Sequence, residues 1–138
     1  MVDSHKGGCV CGRVRYKASG EPQRVSLCSC TWCQKRTGSA LGISVYFLKQ
    51  NVEIDESLLG IHRLTSDAGR WLEQGFCTAC GTALTWTLEF RPDYRGLAGG
   101  TFDQPTFWYK PERYVFTRSK PDWLTVTANI GTCEAMPE

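Results

Sequence analysis

The chain has 138 residues, 41% hydrophobic and 22% charged, which suits one globular domain with a real core and argues against disorder. A formal charge of +2 is too small to argue for a nucleic-acid partner. No apolar run approaches the roughly 18 residues of a membrane span, and residues 1–6 hold no apolar stretch of the secretory kind, so a single cytoplasmic domain over 1–138 is expected.

Taken in chain order, the segments between glycines and prolines mostly alternate, the signature of half-buried strands. Val14, Tyr16 and Ala18 oppose Arg13, Arg15 and Lys17, and Leu41, Ile43, Val45 and Phe47 oppose Gly42, Ser44 and Tyr46. Residues 61–65 and 70–73 flank Ser66-Asp67-Ala68-Gly69, which reads as a hairpin turn. Residues 83–88, rich in strand formers, 96–101 and 114–117 complete the predicted strands. Helical turns are predicted only at 31–37, 57–59 and after Pro105, so the fold class is mainly β. The five tryptophans, six phenylalanines and five tyrosines are expected mostly in the core.

Eight cysteines give the sequence its chemistry. In a reducing compartment dense cysteines bind metal more often than they form disulfides, and the spacing agrees. Cys9-x-Cys11, Cys28-x-Cys30-x-x-Cys33 and Cys77-x-x-Cys80 hold their thiols too close together to staple distant parts of a fold, but well placed to aim sulfurs at one ion. Cys9, Cys11, Cys77 and Cys80 suit a closed tetrahedral zinc site, with Gly12 and Gly81 permitting the sharp turns. Cys28, Cys30 and Cys33 supply three thiolates and leave a fourth position for water or substrate, or for Cys133, His5, His62 or Asp103. Zinc with three thiolates carries net −1 and is a poor Lewis acid, whereas a thiol bound to zinc is deprotonated yet remains electron-rich. The middle cluster therefore suits thiol addition to an aldehyde, or the reverse carbon–sulfur cleavage. Filling both sites with zinc would also move the formal charge from +2 to about −1.

The motifs at 7–16 (Gly-Gly-Cys-Val-Cys-Gly-Arg-Val-Arg-Tyr), 28–40, 76–84, 99–105, 111–116 and 120–123 resemble, in order and over about residues 7–123, the glutathione-dependent formaldehyde-activating enzyme family, which includes the centromere protein V type domain. The resemblance implies a β-tent fold of small antiparallel sheets stapled by two zinc ions. It implies a structural ion on Cys9, Cys11, Cys77 and Cys80, and a second near the active site on Cys28, Cys30 and Cys33. The implied activity is a carbon–sulfur lyase reaction in which glutathione and formaldehyde give S-hydroxymethylglutathione. Ser29 and Tyr114 stand where the family often has histidine, and Ser29 is expected to remove an acid–base group from beside the second metal. Lys35 and Arg36 are candidates to pair with glutathione carboxylates, and Thr101 and Asp103 to line the pocket. The alternative function is a non-catalytic zinc module that binds a protein partner, with a closed second site beside an apolar patch.

Overall fold

The first hairpin is one that composition hides: β1 (Ser4–Gly8) pairs antiparallel with β2 (Arg15–Ser19). The structure, a computed structural model, describes residues 3–65, 69–127 and 129–135. The sequence of β1, Ser-His-Lys-Gly-Gly, lacks strand formers, and it pairs because its glycines admit close neighbours. A Cβ on Gly7 would lie 2.3 Å from the Tyr16 hydroxyl, and one on Gly8 2.4 Å from the Val14 carbonyl oxygen. After β3 (Arg24–Cys28) comes a short helix, α1 (Thr31–Thr37), then β4 (Gly42–Leu48) and β5 (Val52–Ile54). A long hairpin, β6 (Leu59–Thr65) and β7 (Trp71–Cys77), continues into β8 (Ala83–Leu88) and β9 (Arg91–Ala98). The short strands β10 (Arg113–Val115) and β11 (Gly131–Thr132) follow. Three of the four residues of the predicted turn, Ser66-Asp67-Ala68, lie outside the described residues; the antiparallel pairing of Thr65 with Trp71 brings the two flanking strands together.

The strands form two sheets. β1-β2-β5 make a three-stranded antiparallel sheet, and β11-β10-β3-β4-β9-β8-β7-β6 make an eight-stranded one. The larger sheet differs from the small antiparallel sheets expected: it is extensive, and β10 lies parallel to both β3 and β11. In the region after Pro105, where helical turns are expected, the structure has a 3-10 turn well downstream. The late 3-10 turn falls at Thr117–Ser119, and others lie at Lys49–Asn51, Glu56–Leu58 and Gly99–Thr101. No helix among the described residues is long and apolar enough to cross a membrane.

The core is built by period-2 alternation. Val14, Tyr16 and Ala18, around β2, meet Val25 of β3, Val45 and Phe47 of β4, Leu84 of β8 and Leu97 of β9. Each valine, leucine or phenylalanine among them contributes roughly 1.5–3 kcal/mol on full burial. The expected polar face of β4 is also covered: Gly42 and Ser44 are buried because α1 packs on that side of the strand. Aromatics divide between roles, with Tyr16, Phe47, Trp86 and Tyr114 buried and Trp123 78% and Phe107 65% exposed.

Candidate metal centres

The first and third cysteine clusters lie in two hairpin loops, one from each sheet. Cys9 and Cys11 sit between β1 and β2, whereas Cys77 ends β7 and Cys80 precedes β8. The loops turn alike. Gly12 N–H donates to the Cys9 carbonyl at 3.0 Å and Gly81 N–H to the Cys77 carbonyl at 2.8 Å, with both glycines at φ near +80°. That left-handed conformation favours glycine. The four sulfurs all lie within 4.8 Å of one another. Cys9 and Cys11 Sγ are 3.5 Å apart, and Cys11 and Cys77 Sγ 3.8 Å apart. A tetrahedral ion with sulfur bonds of about 2.3 Å requires sulfur–sulfur edges of about 3.8 Å, so the donor set fits. All eight cysteines are free thiols.

Hydrogen bonds to sulfur favour thiolate at Cys9 and Cys80, whereas Cys11, despite a backbone N–H from Arg13, is pushed up to about 11 by sharing with Cys9. Val14 N–H donates to Cys9 Sγ at 3.2 Å and Ala79 N–H to Cys77 Sγ at 3.4 Å. The Thr82 hydroxyl lies 3.1 Å from Cys80 Sγ and, with its own N–H, brings that thiol down to about 5. Thr82 Oγ1 also accepts from Val10 N–H at 3.2 Å, tying one loop to the other. This cross-link is absent from the sequence reading; the threonine two residues after Cys80 is its only trace in the sequence.

The middle cluster is assembled differently. Its three cysteines come from one stretch: Cys28 ends β3, Cys30 caps α1 and accepts from Cys33 N–H at 3.3 Å, and Cys33 lies in the first turn of α1. Their sulfurs also lie within 4.8 Å of one another, and all three residues are partly buried. Thiol hydrogens from Cys28 and Cys33, then backbone N–H groups, hold Cys30 down to about 2, while that sharing with Cys30 and Cys33, together with burial, pushes Cys28 up. Three thiols this close share few thiolates unless a cation joins them.

No other histidine, cysteine or carboxylate among the described residues completes this group. None of the expected fourth ligands lies with the three sulfurs. His5 stacks on Trp108 with ring centroids 3.5 Å apart, and burial lowers its pKa. His62 of β6 pairs in register with Gln74 of β7, and Asp103 forms a bidentate ion pair with Arg15. Cys133 is bound through its backbone, its N–H to Tyr114 and its carbonyl to Thr117 N–H.

Other expectations are redistributed. Ser29 is fully buried, and its hydroxyl donates to the Ala40 carbonyl at 2.9 Å. With that hydrogen committed, the Tyr114 hydroxyl donates to Ser29 Oγ. The two positions where histidine was expected therefore meet each other, on the face of β3 opposite Cys28. Thr101 bonds Tyr16 and the Ala98 carbonyl, away from the cluster. The two basic residues of α1 separate. Arg36 Nη2 donates to Cys33 Sγ at 3.4 Å with its guanidinium 4.2 Å above the Trp86 ring. Lys35 instead borders a shallow cleft of about 510 Å³ with Gln34, Ser119 and Trp123. Gly42, opposite Cys28 on β4, leaves the room: a Cβ there would lie 3.3 Å from Arg36 Nη2 and 3.4 Å from Cys33 Cβ.

Comparison with known proteins agrees with this arrangement. No curated protein matches the chain. A crystal structure of a Rhodobacter sphaeroides protein shares the fold at a TM-score of 0.58 and 17% identity, covering 79% of this chain and 98% of its own. The model of the family described as "Glutathione-dependent formaldehyde-activating enzyme" matches residues 4–119, which takes in all three cysteine clusters; the chain belongs to that family.

Proposed function

We propose that this chain is a zinc-dependent carbon–sulfur lyase or synthase acting on thiol–aldehyde adducts, with glutathione and formaldehyde as the leading pair. The observation that carries the reading is the contrast between four sulfurs that complete a tetrahedron and three that do not. Cys9, Cys11, Cys77 and Cys80 would hold a structural zinc that staples the two sheets of a β-tent. Cys28, Cys30 and Cys33 would hold the second, with the fourth position left to substrate. The family's description supplies the thiol and the aldehyde.

Zinc at the middle cluster would supply deprotonation of a bound thiol at neutral pH. The rest falls to the chain. Three cysteine sulfurs leave the site electron-rich, so a thiol held there stays nucleophilic. The Arg36 guanidinium beside Cys33 Sγ offsets part of that negative charge without filling a ligand position. In the forward direction the substrate sulfur bonds to the formaldehyde carbon, and the carbonyl oxygen takes a proton to become the hydroxyl of the adduct. The reverse breaks the same carbon–sulfur bond and returns the thiol. A cytoplasmic setting, where glutathione is abundant and thiols stay reduced, fits this chemistry.

Metal content and condensation rate test the proposal together. The wild type should hold two zinc ions and accelerate adduct formation, whereas Cys28→Ser should hold one, stay folded and lose the acceleration. Two zinc ions and full activity in Cys28→Ser would refute the assignment.

A further inference from the structure

Four of the ten arginines of this chain pair with carboxylates: Arg15 with Asp103, Arg63 with Glu73, Arg91 with Asp93 and Arg95 with Glu56. Arg13, Arg24, Arg36, Arg113 and Arg118 have no carboxylate within ion-pair distance among the described residues. The fold places three of these, Arg24, Arg36 and Arg113, together beside the middle cluster.

Residues 24, 26 and 28 of β3 share one face, while Val25 and Leu27 face the core. Arg113 of β10 stands next to Ser26 in register and donates from Nε to Ser26 Oγ at 2.8 Å. Arg24 stands opposite Tyr46 of β4. Arg36 reaches the same face from α1, over Trp86, whose indole N–H donates to the Tyr46 hydroxyl at 3.3 Å. Gly96 makes the floor flat, since a Cβ there would lie 2.3 Å from the Trp86 indole nitrogen. The result is a tract running from the three sulfurs past Ser26 to Arg24, about 14 Å of strand.

Charge is unbalanced along this tract. Burial and then Arg24 lower the pKa of Arg113, so the two guanidiniums stand near each other partly out of water. Arg36 Nη1 is buried and has no hydrogen-bond partner among the described residues. Three thiolates around a dication carry net −1, against +3 from the arginines, which leaves a surplus of about two positive charges. A half-buried surplus of this kind calls for anions. Guanidinium suits carboxylates in particular, through paired N–H donors.

We propose that Arg24, Arg36 and Arg113 form the carboxylate-binding part of the middle-cluster site and select thiols that carry two acid groups over neutral thiols. This rests on the thiol reading of that site. A tripeptide-sized thiol is about 10 Å long when extended, and the arginine side chains span the rest of the roughly 14 Å tract. Arg113 and Arg24 then hold the acid ends while the sulfur lies at the cluster.

The test separates this inference from the activity. S-Methylglutathione keeps both carboxylates but has no thiol to bind metal or react. Its binding to the metal-loaded protein, and that of its diethyl ester, is measured by calorimetry in wild type, Arg24→Gln, Arg24→Lys and Arg113→Gln, with zinc content and circular dichroism checking each fold. The wild type should bind S-methylglutathione and discriminate against the ester. Arg24→Gln and Arg113→Gln should each weaken binding about tenfold or more, and Arg24→Lys less than Arg24→Gln. Equal binding by wild type and both glutamine variants, equal binding of acid and ester, or no binding to wild type would overturn the proposal. Arginine-dependent binding without any condensation activity would instead sink the proposed reaction and leave the subsite standing.

Discussion

The two cysteine clusters use one donor chemistry and are built in opposite ways. Cys9, Cys11, Cys77 and Cys80 come from loops 66 residues apart along the chain, one in each sheet, and their four sulfurs satisfy a tetrahedron. Cys28, Cys30 and Cys33 come from six consecutive residues at a strand-to-helix junction and stop at three. The first arrangement joins two loops that otherwise meet through the Val10–Thr82 hydrogen bond and the core between the sheets. The second joins nothing distant, since β3 and α1 are already continuous, and its neighbours are arginines rather than a partner loop. On the proposed reading, a metal at the first site would be a structural clip, while one at the second would be free to serve chemistry.

The largest test of this contrast is Cys77→Ser. Thiolate zinc sites contribute of order 10–16 kcal/mol, comparable with the stability of a whole domain. The variant should lose cooperative thermal unfolding or fail to accumulate folded, whereas Cys28→Ser should keep a cooperative transition. Similar melting curves for the two would erase the distinction.

A smaller effect is expected from Thr82→Val, which removes the hydroxyl beside Cys80 Sγ and the acceptor for Val10 N–H. Loss of such an outer partner should weaken metal affinity at the closed site by about 10–100-fold. Competition with a chelator would show it as one zinc ion released early while condensation activity persists. Release of the other zinc first would place Thr82 with the wrong cluster.

The smallest change is Tyr114→Phe. It deletes the hydroxyl that donates to Ser29, at a cost of about 1 kcal/mol, and should lower the melting temperature modestly without slowing condensation. A large rate loss at unchanged stability would bring the Ser29–Tyr114 pair into the chemistry, contrary to its place on the core side of β3.

The cysteines were the most legible feature of the sequence, because ligands for one metal ion tend to be closely spaced along a chain. Both groups emerge as read from Cys-x-Cys and Cys-x-x-Cys patterns. Strong local signals served as well: α1 spans the 31–37 segment and β8 the 83–88 segment. What stayed hidden was set by pairing. β1 has no strand formers and is held by its neighbour; β3 is a five-residue strand overshadowed by the cysteine at its end; β10 and β11 depend on parallel partners far along the chain. The meeting of Arg24, Arg36 and Arg113 is of the same kind, since only sheet register brings residues 24 and 113 onto one face of neighbouring strands. The placement of Ser29 away from Cys28 follows from strand alternation, which the nearby metal motif obscured.

The most direct test of the central claim is the spectrum of cobalt-substituted protein on addition of glutathione. The account predicts two cobalt ions per chain and a change in the thiolate-to-cobalt bands of the wild type that Cys28→Ser does not show. A wild-type spectrum indifferent to glutathione, with both ions already in four-sulfur coordination, would contradict it.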